Sequence, residues 1–151
     1  MKNILKIADE EIIWFFRKIS IPASRFGLFV VFFWFGFLKI IGQSPASGLV
    51  QDLFNRTMPI MDFSTFIVLF GVFECVIGIM FAIRGLERIV MPLLFFHMIT
   101  TFMPLVFLPS ETWSGFLIPT LEGQYIIKNL VIIAAAVGIA AHLDPIKESS
   151  K

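Results

Sequence analysis

The amino-acid sequence predicts an all-α membrane protein, an antiparallel four-transmembrane-helix bundle preceded by an N-terminal amphipathic interfacial helix. Three observations predict it. Hydrophobic residues make up 58% of the 151 and charged residues only 15%, against roughly 45–50% and about 25% in soluble domains. Mean hydropathy is +0.90. Four separate stretches approach the run of about 20 apolar residues that crosses a hydrocarbon core of about 30 Å. This composition excludes a soluble globular domain, a disordered chain and a nucleic-acid binder. The formal net charge of +1 selects no partner by bulk electrostatics, and a single cysteine excludes an internal disulfide.

Residues 1–22 read as a separate element. At about 100° per residue, Ile4, Leu5, Ala8, Ile12, Phe15, Phe16 and Ile19 fall within an arc of about 120°. The opposite arc holds Lys2, Asn3, Lys6, Asp9, Glu10 and Arg17. Such a helix suits the membrane interface, as an anchor or as a sensor of lipid or a partner. Asp9, Glu10 and Glu11 interrupt any apolar core of a cleavable signal. Ser20-Ile-Pro22 is expected to break the helix, because Pro removes a backbone donor.

The transmembrane domain then covers residues 23–142. Its spans run from about Ser24 to Ile41, Phe63 to Ile83, Ile89 to Leu108 and Gln124 to Ala141, each bracketed by charges or by Pro and Gly. Residues 143–151 form a tail. Loop 42–62 contains Ser47-Gly-Leu-Val-Gln-Asp-Leu-Phe54, suited to one or two surface helical turns. Loop 109–123 carries Trp113 and Phe116, which fit headgroup level or a cap on the bundle.

Basic residues orient the spans. Lys2, Lys6, Arg17, Lys18, Arg25, Arg84, Arg88, Lys147 and Lys151 fall on one side, whereas the loops on the other hold Arg56 alone. Lys and Arg concentrate in cytoplasmic loops, so both termini are expected in the cytoplasm and loops 42–62 and 109–123 outside.

Polar residues within the spans mark the candidate site. A charge at the membrane centre costs at least about 2.5–3.5 kcal/mol on insertion scales and usually faces the bundle interior. Lys39, Glu74, His97 and Lys128 are the residues concerned. Glu74 lies about eleven residues into its span, roughly 16 Å deep at about 1.5 Å per residue. His97 is near the middle of its own span, and Lys39 and Lys128 are near the outer ends of theirs. Gly71, Glu74, Cys75 and Gly78 share one helix face. Small residues permit close helix packing in membranes, which aims Glu74 at another helix. Gly36 shares a face with Lys39. Gln124 shares one with Lys128, close to Glu122, and Thr100 and Thr101 follow His97. Two readings are open: a buried ion-pair network that fixes helix register, or an outward-opening site for a quinone-like or other polar head group.

Other chemistries lack their residues. Paired haem-ligating histidines need matching depth, and His142 lies at the far end of its span from His97. Cys75 alone makes no dithiol centre and reads as a packing residue. Zinc ligation needs His or Cys clusters that the sequence lacks, so no metal site is expected. No Ser-His-Asp arrangement or phosphate-cradling glycine loop occurs. The nineteen Phe read as lipid-facing residues and core filler.

Three runs resemble the DoxX-like integral membrane family, in particular its YkgB/RclC-like branch. They are Arg25-Phe-Gly-Leu-Phe-Val-Val-Phe-Phe-Trp-Phe-Gly36-Phe-Leu-Lys39-Ile, Gly71-Val-Phe-Glu74-Cys-Val-Ile-Gly78 and Glu122-Gly-Gln-Tyr-Ile-Ile-Lys128-Asn-Leu-Val. The resemblance covers roughly residues 25 to 142. It implies a four-helix protein of the bacterial inner membrane, linked to redox metabolism, thiosulfate:quinone oxidoreductase subunits and resistance to reactive chlorine or oxidative stress. The family's shared polar positions fall on Arg25, Lys39, Glu74 and Lys128. The loop after the first span is shorter than in that branch, and sulfur-oxidising activity is not carried over. The resulting expectation is a redox- or oxidative-stress-associated subunit with an outward polar pocket for a quinone or small polar ligand. Its other partners would be lipid, fellow membrane subunits or a second copy. The alternatives are a structural subunit of a larger complex, to which Ala134, Ala135, Ala136, Gly138, Ala140 and Ala141 offer close-contact faces, and a small-molecule permease.

Overall fold

The computed structural model describes residues 2–58 and 60–145, and the side chains of residues 2–5 and 8 lie outside that description. The side chains of Ile4, Leu5 and Ala8 in the expected apolar arc and of Lys2 and Asn3 opposite it, and the tail residues Lys147 and Lys151, therefore lie outside the description.

The chain is mostly helical. Helix α1 runs Lys2–Ile40, α2 Ser47–Thr57, α3 Phe63–Ala82, α4 Glu87–Phe102, α5 Pro104–Phe107, α6 Pro109–Thr112, α7 Leu121–Lys128 and α8 Leu130–Ala140. Among the described residues, four helical stretches are long and apolar enough to cross a membrane: Asp9–Ile40, Phe63–Ala82, Glu87–Phe107 and Leu121–Ala140. They pack on one another and leave large apolar side chains such as Trp34, Phe35, Leu69, Phe96 and Val131 exposed on the outside. That surface suits hydrocarbon rather than water and is consistent with a membrane protein.

Two expectations are corrected. Ser20-Ile-Pro22 does not break the first helix, which is continuous across Pro22. Pro22 removes the donor that would bond the Lys18 carbonyl, yet the helix runs on through it. Membrane helices tolerate Pro more readily than soluble ones, because neighbouring groups and local adjustments can take up the freed carbonyl. The fold is also not purely helical: β1 (Trp113–Gly115) pairs antiparallel with β2 (Ile118–Pro119). Leu117 sits in the turn at φ 57°, where a non-glycine residue is uncommon. The surface turns expected near Ser47–Phe54 are present as α2, pinned by buried Phe54 against Phe66 at 4.5 Å between ring centroids.

The seam between α1 and α3 organises the bundle. On α1, Arg25, Leu28, Phe32, Gly36 and Lys39 are all buried and recur at intervals of three and four residues, so they line one face. On α3 the matching face is Ile67, Gly71, Glu74, Gly78 and Phe81. A Cβ on Gly36 would lie 2.6 Å from the Gly71 carbonyl oxygen, and one on Gly71 would lie 2.6 Å from that of Gly36. A Cβ on Gly78 would meet the Phe33 nitrogen at 2.7 Å. The glycines therefore let the two backbones touch. Helices α4 and α8 complete the core, where Phe32, Ile77, Phe81, Val90, Leu94, Ala136 and Ile139 form one buried cluster.

Candidate functional site: a buried Lys39–Glu74–His97 cluster

At its Gly36–Gly71 end the seam carries one charged residue on each of its two helices, Lys39 on α1 and Glu74 on α3. Glu74 stands near the middle of α3, one turn from the Gly36–Gly71 contact, so its side chain meets the last turn of α1. Lys39 Nζ donates to Glu74 Oε2 at 2.6 Å. From α4, His97 Nε2 lies 2.9 Å from Glu74 Oε1. The carboxylate thus uses one oxygen for each partner, and all three side chains are at most 7% exposed.

Hydrogen-bond roles constrain the imidazole. Facing a carboxylate oxygen, Nε2 is the donor. On the other side of the ring, Nδ1 lies 3.2 Å from Thr101 Oγ1. That hydroxyl also lies 3.0 Å from the His97 carbonyl oxygen. When Thr101 donates to Nδ1, the ring is neutral. When it donates to the carbonyl, its oxygen accepts from a protonated Nδ1. His97 therefore has a partner in either state, and one hydroxyl rotation exchanges them. Neither ring nitrogen is thus left without a hydrogen-bond partner.

Aromatic rings wall the cluster. Phe70 stacks on the His97 ring at 5.2 Å and 6°, Phe32 meets it edge-on at 5.2 Å and 78°, and Phe73 lies at 6.1 Å. Lys39 Nζ is 5.6 Å from the Phe70 centroid. From Phe70 the rings continue through Phe66 at 5.7 Å to Phe54 of α2. A file of rings thus joins the surface helix to the buried imidazole. No protein-family model, curated protein or solved structure matches this chain. The chemistry of the cluster must be read from its own geometry.

Other residues singled out by the sequence lie elsewhere. Arg25 does not join the cluster. It is fourteen residues before Lys39 on the same helix face, roughly 21 Å away at about 1.5 Å per residue. There its Nη1 donates to Glu87 Oε1, and Glu87 Oε2 accepts from the Gly85 backbone at 2.8 Å. Lys128, Glu122 and Gln124 are exposed and also outside the cluster. Lys128 Nζ lies 5.1 Å from the ring of its neighbour Tyr125. The cause is the rotation of α7. Gly123 packs so tightly that a Cβ would fall 2.1 Å from the Thr112 carbonyl oxygen, and Ile126 is buried beside it. With those two inward, Lys128 points out, although the sequence places it at a depth like that of Lys39. Cys75 donates to the Phe33 carbonyl at 3.5 Å, in keeping with a packing role.

Sequence reasoning missed the Arg25–Glu87 pair, because Glu87 reads as one residue of the charged turn Arg84-Gly-Leu-Glu-Arg88. The available signal was that Arg25 lies on the Gly36–Lys39 face. The aromatic wall was missed because Phe32, Phe70 and Phe73 do not differ in type or spacing from the other Phe.

Proposed function

We propose that this chain is a redox- or oxidative-stress-associated membrane protein whose working part is the Lys39–Glu74–His97 cluster, and that the cluster takes a quinone-like head group. In this reading the four spans form an antiparallel bundle in a bacterial inner membrane, with both termini cytoplasmic. The apolar side of the first half of α1, with Ile12, Phe15 and Phe16, rests in the interface. The single observation that carries the reading is a carboxylate bridging an ammonium and an imidazole within a wall of aromatic rings. A planar quinone needs donors at its carbonyl oxygens, and Lys39 Nζ carries N–H groups beyond the one it gives Glu74. A quinol needs acceptors for its protons, and the Glu74 carboxylate has lone pairs beyond those used by Lys39 and His97. Phe70 and Phe66 make the surroundings on the α2 side apolar and aromatic, which suits a quinone ring.

Purification in mild detergent followed by organic extraction tests this. The expected result is quinone at near one equivalent, lost in His97→Ala and reduced in Glu74→Gln, with both proteins still folded. Absence of bound quinone, together with no binding of added short-chain quinone, overturns it.

A structural-subunit role is the second reading, favoured by the exposed face Ala134, Gly138 and Ala141 of α8 and the residue after it. Stoichiometric co-purifying proteins would support that reading. A permease has less support. Ile77, Phe81, Val90 and Leu94 are each at most 1% exposed, and they close the seam between the cluster and the Arg25–Glu87 pair.

A further inference from the structure

The opposite end of the seam holds a second, unrelated feature. A cleft of about 530 Å³ opens between α1 and the turn joining α3 to α4. Three cations line it, Lys18, Arg25 and Arg84, against one acid, Glu87. Glu87 is already taken by Arg25 Nη1 and the Gly85 amide. Lys18 and Arg84 are exposed, and no ion pair involving either occurs among the described residues. Arg25 is only 8% exposed, yet its Nη2 has no hydrogen-bond partner, the one such buried side-chain atom among the described residues. A buried donor left unmade is costly, so it calls for an acceptor. The rest of the wall is apolar, with Ile21, Phe26 and Phe29 turned to the cleft.

We propose that this cleft is a binding site for the phosphate of an anionic membrane lipid. Guanidinium groups match phosphate oxygens in pairs, and Arg25 has one nitrogen committed to Glu87 and one free. Two exposed cations flank it, so the site carries a surplus of two positive charges after Glu87 is counted. The cleft lies where α3 ends and α4 begins, which is headgroup level if these helices cross a bilayer, and Phe26 and Phe29 continue its wall toward the exposed apolar surface. Basic pockets between helix ends are where anionic headgroups are held. A soluble phosphate has the same head-group chemistry but no use for the apolar wall. This inference is independent of the quinone reading, because the two sites are about four helical turns apart and share no residue.

The test uses the full chain in a neutral maltoside detergent, with three probes: phosphatidylglycerol, the matching diacylglycerol, and inorganic phosphate. Native mass spectrometry and thermal unfolding read the outcome. Phosphatidylglycerol is expected to give a one-to-one adduct and raise the melting midpoint, and diacylglycerol to do neither. Lys18→Gln and Arg84→Gln should each weaken the phosphatidylglycerol complex about fivefold, as one cation near a charged lipid surface contributes. Both residues are exposed, so both variants should fold. Arg25→Lys keeps a cation beside Glu87 but removes the free nitrogen, and should weaken the complex as well. Equal binding of diacylglycerol and phosphatidylglycerol overturns the proposal, as does a Lys18→Gln/Arg84→Gln variant that binds phosphatidylglycerol like the parent. Stabilisation by inorganic phosphate with no lipid adduct assigns the cleft to a soluble anion and overturns the lipid assignment.

Discussion

Glu74 and Lys39 meet at 2.6 Å one helical turn beyond the point where Gly36 and Gly71 bring their backbones into contact. The two relationships depend on each other. The glycines bring α1 and α3 close enough for a short, buried ion pair, and the ion pair fixes which turn of α1 faces which turn of α3. His97 then ties α4 to the same carboxylate.

Removing one partner of this set should be more damaging than removing two. Glu74→Gln leaves Lys39 buried without its counter-charge, and breaking a buried pair in this way costs about 3–5 kcal/mol. Lys39→Met leaves Glu74 with His97 alone and should cost about the same. The double variant Glu74→Gln/Lys39→Met is expected to recover part of that loss in thermal unfolding. Lys128→Met, on the exposed side of α7, should change stability by less than about 0.5 kcal/mol and should not rescue Glu74→Gln. Rescue by Lys128→Met rather than Lys39→Met would show that the pairing is wrong.

The glycine seam makes a separate prediction. Gly71→Ala places a methyl 2.6 Å from the Gly36 carbonyl oxygen and 2.9 Å from Lys39 Cβ. Neither neighbour is the free end of a flexible side chain, so the helices must separate, at about 1–3 kcal/mol. Gly27→Ala, on the same helix as Gly36 but with nothing within 4 Å of the new Cβ, should be neutral or slightly stabilising. Equal melting midpoints for the two variants would refute close packing of α1 on α3.

Much of this was legible because helical period converts sequence spacing into a face. Gly71, Glu74 and Gly78 lie on one stripe whatever else the chain does, and a carboxylate on such a stripe must meet another helix. Lys39 and His97 followed from depth. Depth failed for Lys128, because it does not set rotation about the helix axis; the long-range contact between Gly123 and Thr112 does. Pro22 misled because the rule that Pro ends helices is weaker in membrane helices, where neighbouring groups and local adjustments can take up the freed carbonyl. The hairpin at Trp113–Pro119 is too short to have a period at all. It is held by tertiary bonds such as Trp113 Nε1 to the Leu105 carbonyl at 3.0 Å.

Sidedness can be checked independently of any ligand. If the spans alternate as the sequence predicts, nine basic residues fall to one side and Arg56 alone to the other, and single cysteines at Asn55 or Glu111 should react with a membrane-impermeant thiol reagent on intact cells. Cysteines at Arg84 or Ser150 should react only after the membrane is permeabilised. The native Cys75 is buried and should give no background. Labelling at Arg84 but not at Glu111 in intact cells would invert the topology.

The first half of α1 offers the last test. Ile12 and Phe16 are 56% and 60% exposed, on a helix that continues unbroken into the first span. The helix is about 58 Å long at about 1.5 Å per residue, well beyond a hydrocarbon core of about 30 Å. Its surplus turns must lie at or outside the interface. If their apolar side chains rest on lipid, Ile12→Asp/Phe16→Asp removes buried apolar area and adds charge, and the segment should detach. Protease cleavage within residues 6–19 should then rise several-fold. The melting midpoint should stay unchanged, because neither residue belongs to the α1–α3 seam. Unchanged cleavage together with loss of a co-purifying protein would show that a partner, not lipid, covers this face. A fall in melting midpoint would show that the segment packs on the bundle itself.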